Sequence, residues 1–328
     1  MKKSLILLLI LMFSGLVACE QKKFFVTFET NDGDDIDKQE LEKIDYNSEV
    51  IPIRQNYDFV GWYFDEQLLQ PFEIIVDIKE DIKLFAKWRL KEFGDQDLVD
   101  LYMRAYLNHQ KAESFEVSAS GEVKTSVTLA EVRQQIKSVK QRNKDVYYQL
   151  TASRSSFVNI MYELYGSKDN FEYSTGTVNS KLEIDKVNSS QMVTYSQYMD
   201  EYFIFIDELN YTVNHETVLE VSKYAFIEGK HHFELKLDLE KSVQNYIKNI
   251  QKTNQFESEP AQFESIVLRV EINEDEMFEQ IIYNEKYIIK VKVPVIGWQT
   301  QTMNGTMIET FNYDENIEII QNSKKGDN

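Results

Sequence analysis

The sequence predicts a mainly β protein of the α+β class, in which a small β domain precedes a larger one built on a curved antiparallel sheet. Two observations support this prediction. The 328 residues include 19 tyrosines and 20 phenylalanines but only 4 prolines and 11 glycines, which favours ordered strands over a disordered stalk. Short segments with period-two alternation also recur along the chain, as where Ile82, Leu84 and Ala86 alternate with lysine and phenylalanine.

The first 18 residues predict export. Lys2 and Lys3 form a positive start, and the apolar run at 5–13 is shorter than the roughly 20 apolar residues that a permanent membrane helix needs. Residues 16–19, LVAC, resemble the lipobox of bacterial lipoproteins. That resemblance implies that Cys19 is lipidated and begins the mature chain. The alternative is an ordinary secretory signal followed by a chance cysteine.

Lipidation of Cys19 would leave no free thiol, because it is the only cysteine in the chain. Disulfides, thiolate nucleophiles and cysteine metal sites are then excluded from the mature protein. The expected location is the extracytoplasmic face of a bacterial cell membrane, in an envelope of the Gram-positive type, with the membrane as a partner through the lipid. The predicted segments are a leader (1–18), a tether (19–23), a small β domain (24–92), a larger β domain (93–322) and a polar tail (323–328).

The acidic balance of the chain excludes nucleic acid as a partner. The formal net charge is −19, and loss of Lys2 and Lys3 with the leader brings it to −21. Such a surface repels phosphates and anionic lipid headgroups, and no cluster of lysine or arginine opposes it. We expect the charge to keep the domains soluble.

The small domain carries the pattern of a known family. A strand at 24–28 is followed by an Asn31-Asp32-Gly33 turn, an extended piece at 49–53, a segment at 57–63 and a closing strand at 81–88. This order resembles the Listeria–Bacteroides repeat, the B-repeat of internalin B. The matching residues are Val26, Phe28, Phe59, Gly61, Trp62, Tyr63, Asp65, Asp81, Ile82, Leu84, Ala86 and Trp88. The chain departs from the family at the turn, where two aspartates replace a glycine.

The resemblance implies a compact β-grasp-like module of extracellular bacterial proteins, which acts as a spacer or a protein-contact unit. Within it, Phe59, Gly61, Trp62, Tyr63 and Trp88 are the predicted structural core, because a small domain needs large apolar side chains. A sugar-stacking role for the tryptophans is the less favoured alternative. The acidic turn at 32–37 does not have the spacing of a calcium loop, so neither a metal nor another cofactor is predicted.

The larger domain reads as strands with a few helices. Asp95 begins a predicted helix that ends near Ser114. Residues 128–140 have either a helical capping box or a strand, and we favour the strand because its neighbours are β. Further helices are predicted at 189–202 and 240–252, and a buried strand at 203–206. The other predicted strands are 118–127, 146–151, 157–165, 170–175, two within 218–239, 263–272, 277–283, 287–293, 299–303 and 306–313, with Asn304-Gly305 as a hairpin turn.

This layout has a weak resemblance to the half-barrels of lipoprotein carriers and of mycobacterial lipid-binding lipoproteins. The resemblance implies an apolar pocket on the concave face of the sheet. The candidate ligand-binding residues are Met192, Tyr195, Met199 and Phe203. The alternative is that these four side chains belong to an ordinary core.

No catalytic motif is present in the sequence. The four histidines, at 109, 215, 231 and 232, lack the H-E-x-x-H spacing of zinc proteases. Hydrolase and phosphate-binding motifs are also missing. We therefore expect no enzyme. The first hypothesis is a surface lipoprotein that contacts an extracellular protein or an envelope polymer, and the alternative is a carrier or sensor of a lipid or hydrophobic solute. A secreted hydrolase, acting through two of the 55 acidic residues, is the third.

Overall fold

The computed structural model describes residues 23–40, 50–72, 80–127, 130–254 and 256–320. The leader, Cys19 and the tail at 323–328 lie outside these ranges, so the lipidation of Cys19 stays a prediction. The chain divides into two compact units between Glu92 and Phe93. Within the described ranges, no helix has the length and apolar character needed to cross a membrane.

The first unit contains a four-stranded mixed sheet in the order β2–β1–β4–β3. Its strands are β1 Phe25–Glu29, β2 Gln39–Glu40, β3 Tyr57–Tyr63 and β4 Ile82–Leu90. β1 is parallel to β4, and the other pairs are antiparallel. The described part of the predicted extended piece at 49–53 forms no strand. Instead, the Val50 carbonyl accepts a hydrogen bond from the Trp62 indole, and the Ile53 carbonyl accepts one from the Asp34 amide.

Trp62 and Trp88 are half-buried and held by contacts at both their rings and their nitrogens. The ring centroid of Phe59 lies 5.3 Å from Trp62 and 5.5 Å from Trp88. The two indole nitrogens donate to the backbone carbonyls of Val50 and Thr30, each at 2.8 Å. Both tryptophans therefore cover apolar surface while their polar atoms remain paired, as a small domain requires.

Two further positions of the predicted core have different roles. Gly61 has a φ of +152° at an irregularity in the pairing of β3 with β4, a conformation that other residues rarely adopt. Tyr63 lies on the same strand, and the ammonium of Lys87 sits 4.7 Å from its ring centroid. The fully buried residues of the sheet include Val26, Leu84 and Ala86, and half-buried aromatic side chains pack against Val26 and Leu84.

The second unit is dominated by one antiparallel sheet of 11 strands. Five or six strands that follow one another along the chain form each half of the sheet, and the halves meet where β5 pairs with β15. The strands of the first half are β5 Ser114–Val127, β6 Ala130–Asn143, β7 Val146–Arg154, β8 Asn159–Ser167, β9 Asn170–Val178 and β10 Ile184–Val193. The strands of the second half are β11 Val218–Ile227, β12 Lys230–Leu237, β13 Gln262–Asn273, β14 Phe278–Val293 and β15 Gly297–Asn312.

Three helices pack against one face of this sheet: α1 Asp95–Lys111, α2 Tyr195–Tyr202 and α3 Gln244–Thr253, the last after a 3-10 turn at Lys241–Val243. The Asp97 carboxylate caps α1 by accepting from the Gly94 amide at 2.9 Å. The predicted mainly β architecture, with a large curled sheet and a few helices, is confirmed.

Several local predictions were wrong. The helix predicted at 189–202 is strand β10 as far as Val193, because its pairing with β9 overrides the helical spacing of its methionine and tyrosine residues. Residues 203–206 are an irregular buried segment rather than a strand. Asn304-Gly305 is no turn, since both residues lie in the middle of β15. The segments at 277–283 and 287–293 likewise form one strand. The favoured strand at 128–140 is confirmed from Ala130 onward.

His109 is buried on the inner side of α1, with 1% of its surface exposed. Its ring centroid lies 4.5 Å from that of Phe115, and its Nδ1 is 3.2 Å from the Tyr313 hydroxyl. Burial, reinforced by the positive charges of Lys140 and Arg142, lowers the pKa of His109 from 6.5 to about 3. The folded protein therefore holds this imidazole in its neutral form.

We expect His109 to make the protein less stable as the pH falls from 6.5 towards 3. In this range the unfolded imidazole takes up a proton that the folded one refuses, so protonation favours unfolding. Urea unfolding at pH 7 and pH 5 should show a His109→Phe variant losing about 2 kcal/mol less stability than the wild type over this interval. Equal losses in the two proteins would contradict the assignment.

Gly33 should tolerate no side chain. A Cβ built on it would lie 2.6 Å from Cζ2 of Trp88, so the Gly33→Ala variant must displace a ring that is also hydrogen-bonded. We expect the first unit to lose about 1–3 kcal/mol, the usual cost of overpacking. Thermal unfolding followed by tryptophan fluorescence measures this. Asp35→Ala, at an exposed position nearby, is the control, and equal melting of both variants would refute the contact.

Candidate functional site

A cavity of about 650 Å³ lies between the inner face of the large sheet and the segments that pack on it. Alternate residues of each strand point into it, as the period of two requires. Strands β5, β6, β14 and β15 provide most of its wall, while α3 and the irregular segment after α2 provide the other side. The cavity therefore belongs to the second unit alone.

Most of the wall is apolar. Ile136 and Ile160 are only half-buried although they lie in the interior of the sheet, because they border open space. The apolar lining residues are Ala119, Val123, Val132, Ile136, Phe157, Val158, Ile160, Ile204, Phe205, Ile250, Phe256, Ile289, Val291, Val293, Ile296, Met303 and Met307. A surface of this kind suits a hydrophobic ligand.

One carboxylate, that of Glu285, interrupts this wall. It accepts hydrogen bonds from the Tyr211 hydroxyl at Oε2 and from the Tyr246 hydroxyl at Oε1, the latter at 3.3 Å. Burial raises the pKa of Glu285 above its usual range, and the two hydrogen bonds oppose this shift. Its side chain is half-buried, and the exposed part lines the cavity.

Gly305 makes room for this carboxylate. It lies directly opposite Glu285 in the pairing of β14 with β15. A Cβ on Gly305 would lie 2.9 Å from both Cγ and Oε1 of Glu285. The Asn-Gly pair that the sequence analysis assigned to a turn therefore serves the cavity, and this explains a glycine in the middle of a 16-residue strand.

A second acidic residue, Glu309, lines the cavity further along β15. Only 5% of its surface is exposed, and it accepts a hydrogen bond of 2.6 Å from the Tyr283 hydroxyl. The buried hydroxyl of Tyr102 has no hydrogen-bond partner, and the negative charge of Glu309 adds to burial in raising the pKa of Tyr102. The cavity thus has a polar region of carboxylates and tyrosines beside its apolar wall.

None of the four predicted ligand-binding residues lines this cavity. Met192 is 56% exposed on β10 and borders a separate, smaller depression of about 500 Å³. Tyr195 and Met199 lie on α2 and pack against the core. Phe203 follows α2 with a φ of +64°, and Lys248 lies 5.3 Å from its ring centroid. Ligand binding at these four positions stays a prediction.

These four residues miss the cavity because α2 begins at Tyr195 rather than at the predicted Ser189. A helix beginning at Ser189 would group residues 192, 195 and 199 on one face. The observed helix begins at Tyr195, and its contribution to the cavity wall is Tyr198. Ile204 and Phe205 follow it in the wall. Among the described residues, no group of three or more His, Cys, Asp or Glu side chains is arranged to hold a metal ion.

Comparison with known families confirms the resemblance of the small domain. Residues 24–87 match the family described as the Listeria-Bacteroides repeat domain. The match covers the first unit's sheet apart from the end of β4, and it includes both Phe59 and Trp62. It does not extend into the second unit.

Two proteins of Evansella cellulosilytica, both named as membrane proteins and one as glycine-rich, also resemble part of the chain. One is 32% identical over 75 residues, covering 21% of this chain and 11% of the relative. The other is 30% identical over 80 residues, covering 23% and 9%. The chain thus spans about a tenth of the length of these relatives.

Three solved structures are similar to a larger share of the chain. They are a DUF1329 family protein from Desulfovibrio piger (TM-score 0.23, 10% identity), an outer membrane lipoprotein-sorting protein domain from Vibrio parahaemolyticus (0.25, 8%) and a LolA superfamily protein from Nitrosomonas europaea (0.21, 9%). They cover 65–67% of this chain and 90–93% of their own. The likeness to these structures concerns the fold alone.

The tyrosine hydrogen bonds to Glu285 can be tested through its ionisation. Because these bonds stabilise the carboxylate, we expect a Tyr246→Phe variant to raise the pKa of Glu285 further. The pKa is measured by carbon-13 NMR of labelled glutamate carboxyls, with Glu285→Gln identifying the signal. Tyr287→Phe is the matched control and should leave this pKa unchanged, since Tyr287 lies on the same face of β14 but is not one of the two hydroxyls bonded to Glu285. A pKa that is unchanged or lower in Tyr246→Phe would exclude this role.

Proposed function

We propose that the protein is a non-catalytic, lipid-anchored envelope protein whose larger domain binds a hydrophobic ligand, as a carrier or a sensor. The observation that carries the proposal is the 650 Å³ cavity with its apolar wall. Its volume falls within the range of about 300–1,000 Å³ that is usual for sites of small ligands. Apolar surface that is left exposed to water in a concave site is unfavourable, so a ligand role accounts for this wall better than a packing defect does.

The rim of the cavity supports access from solvent. Phe157, between β7 and β8, is 71% exposed, and Ile296, between β14 and β15, is 69% exposed. Both side chains also line the cavity. Exposed apolar residues at the edge of an apolar cavity are expected where a hydrophobic ligand enters.

The location in the envelope rests on the predicted leader and Cys19 and on relatives that are named as membrane proteins. A lipid on Cys19 would hold the chain at the extracytoplasmic face of the membrane, in an envelope of the Gram-positive type. The repeat domain would then serve as a spacer or as a contact unit for an extracellular protein or envelope polymer. Its exposed apolar side chains Ile53 and Leu69, 70% and 77% exposed, favour the contact role as a second candidate function.

A hydrolase acting through Glu285 and Glu309 is less well supported. Glu309 lies four residues along β15 from Gly305, the partner of Glu285, so the two backbones are separated by about 13 Å along the strand. A glycosidase pair needs carboxyl groups about 5–10 Å apart that flank one bond. Each carboxylate here already accepts a hydrogen bond from a tyrosine. A site that binds without reacting fits this arrangement better.

Native mass spectrometry tests the proposal with the chain from Glu20 onward, which keeps every described residue. This chain is produced in its own host behind a cleavable secretion signal and is examined before and after solvent extraction. We expect a bound small molecule at one copy per chain in the wild type. An Ile136→Trp variant should lose it, because Ile136 lines the cavity and the larger indole ring would take up space that the ligand needs.

Lys137→Trp is the matched control, since the next residue of β6 points to the exposed face. It should keep the bound molecule. Loss of the molecule in both variants, or its absence from the wild type, would contradict binding in the cavity. A bound molecule that is chemically changed during incubation would instead favour the hydrolase.

A further inference from the structure

The polar region of the cavity has more acidic than basic side chains. This imbalance indicates the chemical class of the ligand and so rests on the ligand binding proposed above. Among the described residues that line the cavity, the acidic ones are Glu285 and Glu309, and Lys140 is the one basic residue. Lys140 donates to the backbone carbonyl of Glu208 at 3.3 Å. Within the part of the chain that the structure describes, the partners of the Glu285 carboxylate are hydroxyl groups, and no cationic side chain forms an ion pair with it.

Lys140 is also far from Glu285 in the sheet. The ladder connects Lys140 through Val117 to Phe311, whereas Glu285 lies opposite Gly305. Six residues of β15 separate Phe311 from Gly305, which is about 20 Å along the strand. A ligand is then better placed than Lys140 to supply the missing positive charge.

The Glu285 carboxylate retains acceptor capacity towards the cavity. A carboxylate has about four lone-pair sites, and the Tyr211 and Tyr246 hydroxyls occupy two. The side chain lines the cavity, and the apolar residues Ile289, further along β14, and Val123, two strands away on β5, line the same cavity. A group bound here would have its polar end at Glu285 and its apolar part against the walls.

We infer that the cavity selects amphiphiles that carry a protonated amine, with the ammonium bound by the Glu285 carboxylate and the hydrocarbon chain lying along the inner faces of β5, β6 and β14. An ammonium supplies up to three donors and the compensating charge in one group. A carboxylate head group would be repelled by both acidic residues. The acidic surface of the chain, with a net charge of −19, also favours the approach of cations over anions.

Such binding should depend on pH. Burial raises the pKa of Glu285, so protonation removes its charge at a pH above the usual carboxyl range. The groups that face or flank it are Tyr211 before β11, Tyr246 on α3, Tyr283 and Tyr287 on β14 and Glu309 on β15. The pKa of each of the four tyrosines is raised, chiefly by burial, so they stay neutral as the pH falls. Amine affinity should therefore fall as the pH drops through the pKa of Glu285.

The test compares three probes with one chain length: dodecylamine, dodecanol and dodecanoate, each below its aggregation concentration. Affinities for the chain from Glu20 onward are measured at pH 7.5 by displacement of a fluorescent apolar dye. We expect dodecylamine to bind at least about tenfold more tightly than dodecanol, the usual effect of a charged hydrogen bond. Dodecanoate should bind most weakly.

Glu285→Gln should reduce the affinity for dodecylamine to that for dodecanol and leave dodecanol unchanged. Glu264→Gln is the charge-matched control, because Glu264 lies on the exposed face of β13, 2.7 Å from Lys286. It should keep the wild-type preference. If Glu285→Gln does not fold, the wild-type protein still tests the inference, since its amine preference must disappear as the pH is lowered while dodecanol binding stays constant.

The outcomes separate the two proposals. Equal binding of dodecylamine and dodecanol to the wild type, or an amine preference that survives in Glu285→Gln, overturns the amine inference and leaves the apolar cavity as the binding site. Tightest binding of dodecanoate overturns it as well. Failure of all three probes to bind would reject the proposed ligand-binding function itself.

Discussion

The pairing of β5 with β15 is the constraint on which the larger domain depends, because it joins the first strand of that domain to the last. Eleven residue pairs run from Ser126 opposite Thr302 to Glu116 opposite Asn312. Without this ladder, β5–β10 and β11–β15 would be two separate meanders with free edges. The contact is non-local: the Thr125 hydroxyl meets the Met303 sulfur at 3.0 Å across 178 residues of sequence. Pairing between strands so distant in sequence is slow to form, so we expect the two halves to form their local hairpins before they join.

The same ladder assembles the polar region of the cavity. Glu285, Gly305, Val123 and Gln134 form one row across β14, β15, β5 and β6. A buried carboxylate in such a row is unfavourable unless its oxygens are paired. The pairing comes from Tyr211 and Tyr246, which belong to segments outside this row. The polar region therefore forms only after β5 has paired with β15 and the segments that carry Tyr211 and Tyr246 have packed on the sheet.

The sequence predicted the class of fold because strand alternation is local, whereas the cavity depends on register. Ile281, Tyr283, Glu285, Tyr287 and Ile289 all face inward on β14, and Glu285 is the one charged residue in that row. In one continuous strand at 278–293, the period of two makes Glu285 a charged interruption of this inward-facing row. The predicted strands at 277–283 and 287–293 leave Glu285 between them, and the predicted turn at Asn304-Gly305 removes its partner from the sheet, so Glu285 does not stand out among the 55 acidic residues. The partner of a strand glycine is set by long-range pairing and cannot be read from its neighbours in the chain.

The two domains also differ in the interactions that position their apolar side chains. In the small domain, contacts between side chains position the apolar surface: Phe59 contacts both Trp62 and Trp88, and a Cβ at Gly33 would collide with the indole ring of Trp88. In the larger domain, backbone ladders of up to 14 residue pairs hold the walls of the cavity apart. Continuous hydrogen-bonded strands hold a side chain where the ladder places it, whether or not that side chain is fully packed. Ile136 and Ile160 are therefore half-buried at the cavity, because the backbone ladders of β6 and β8 fix their positions in its wall.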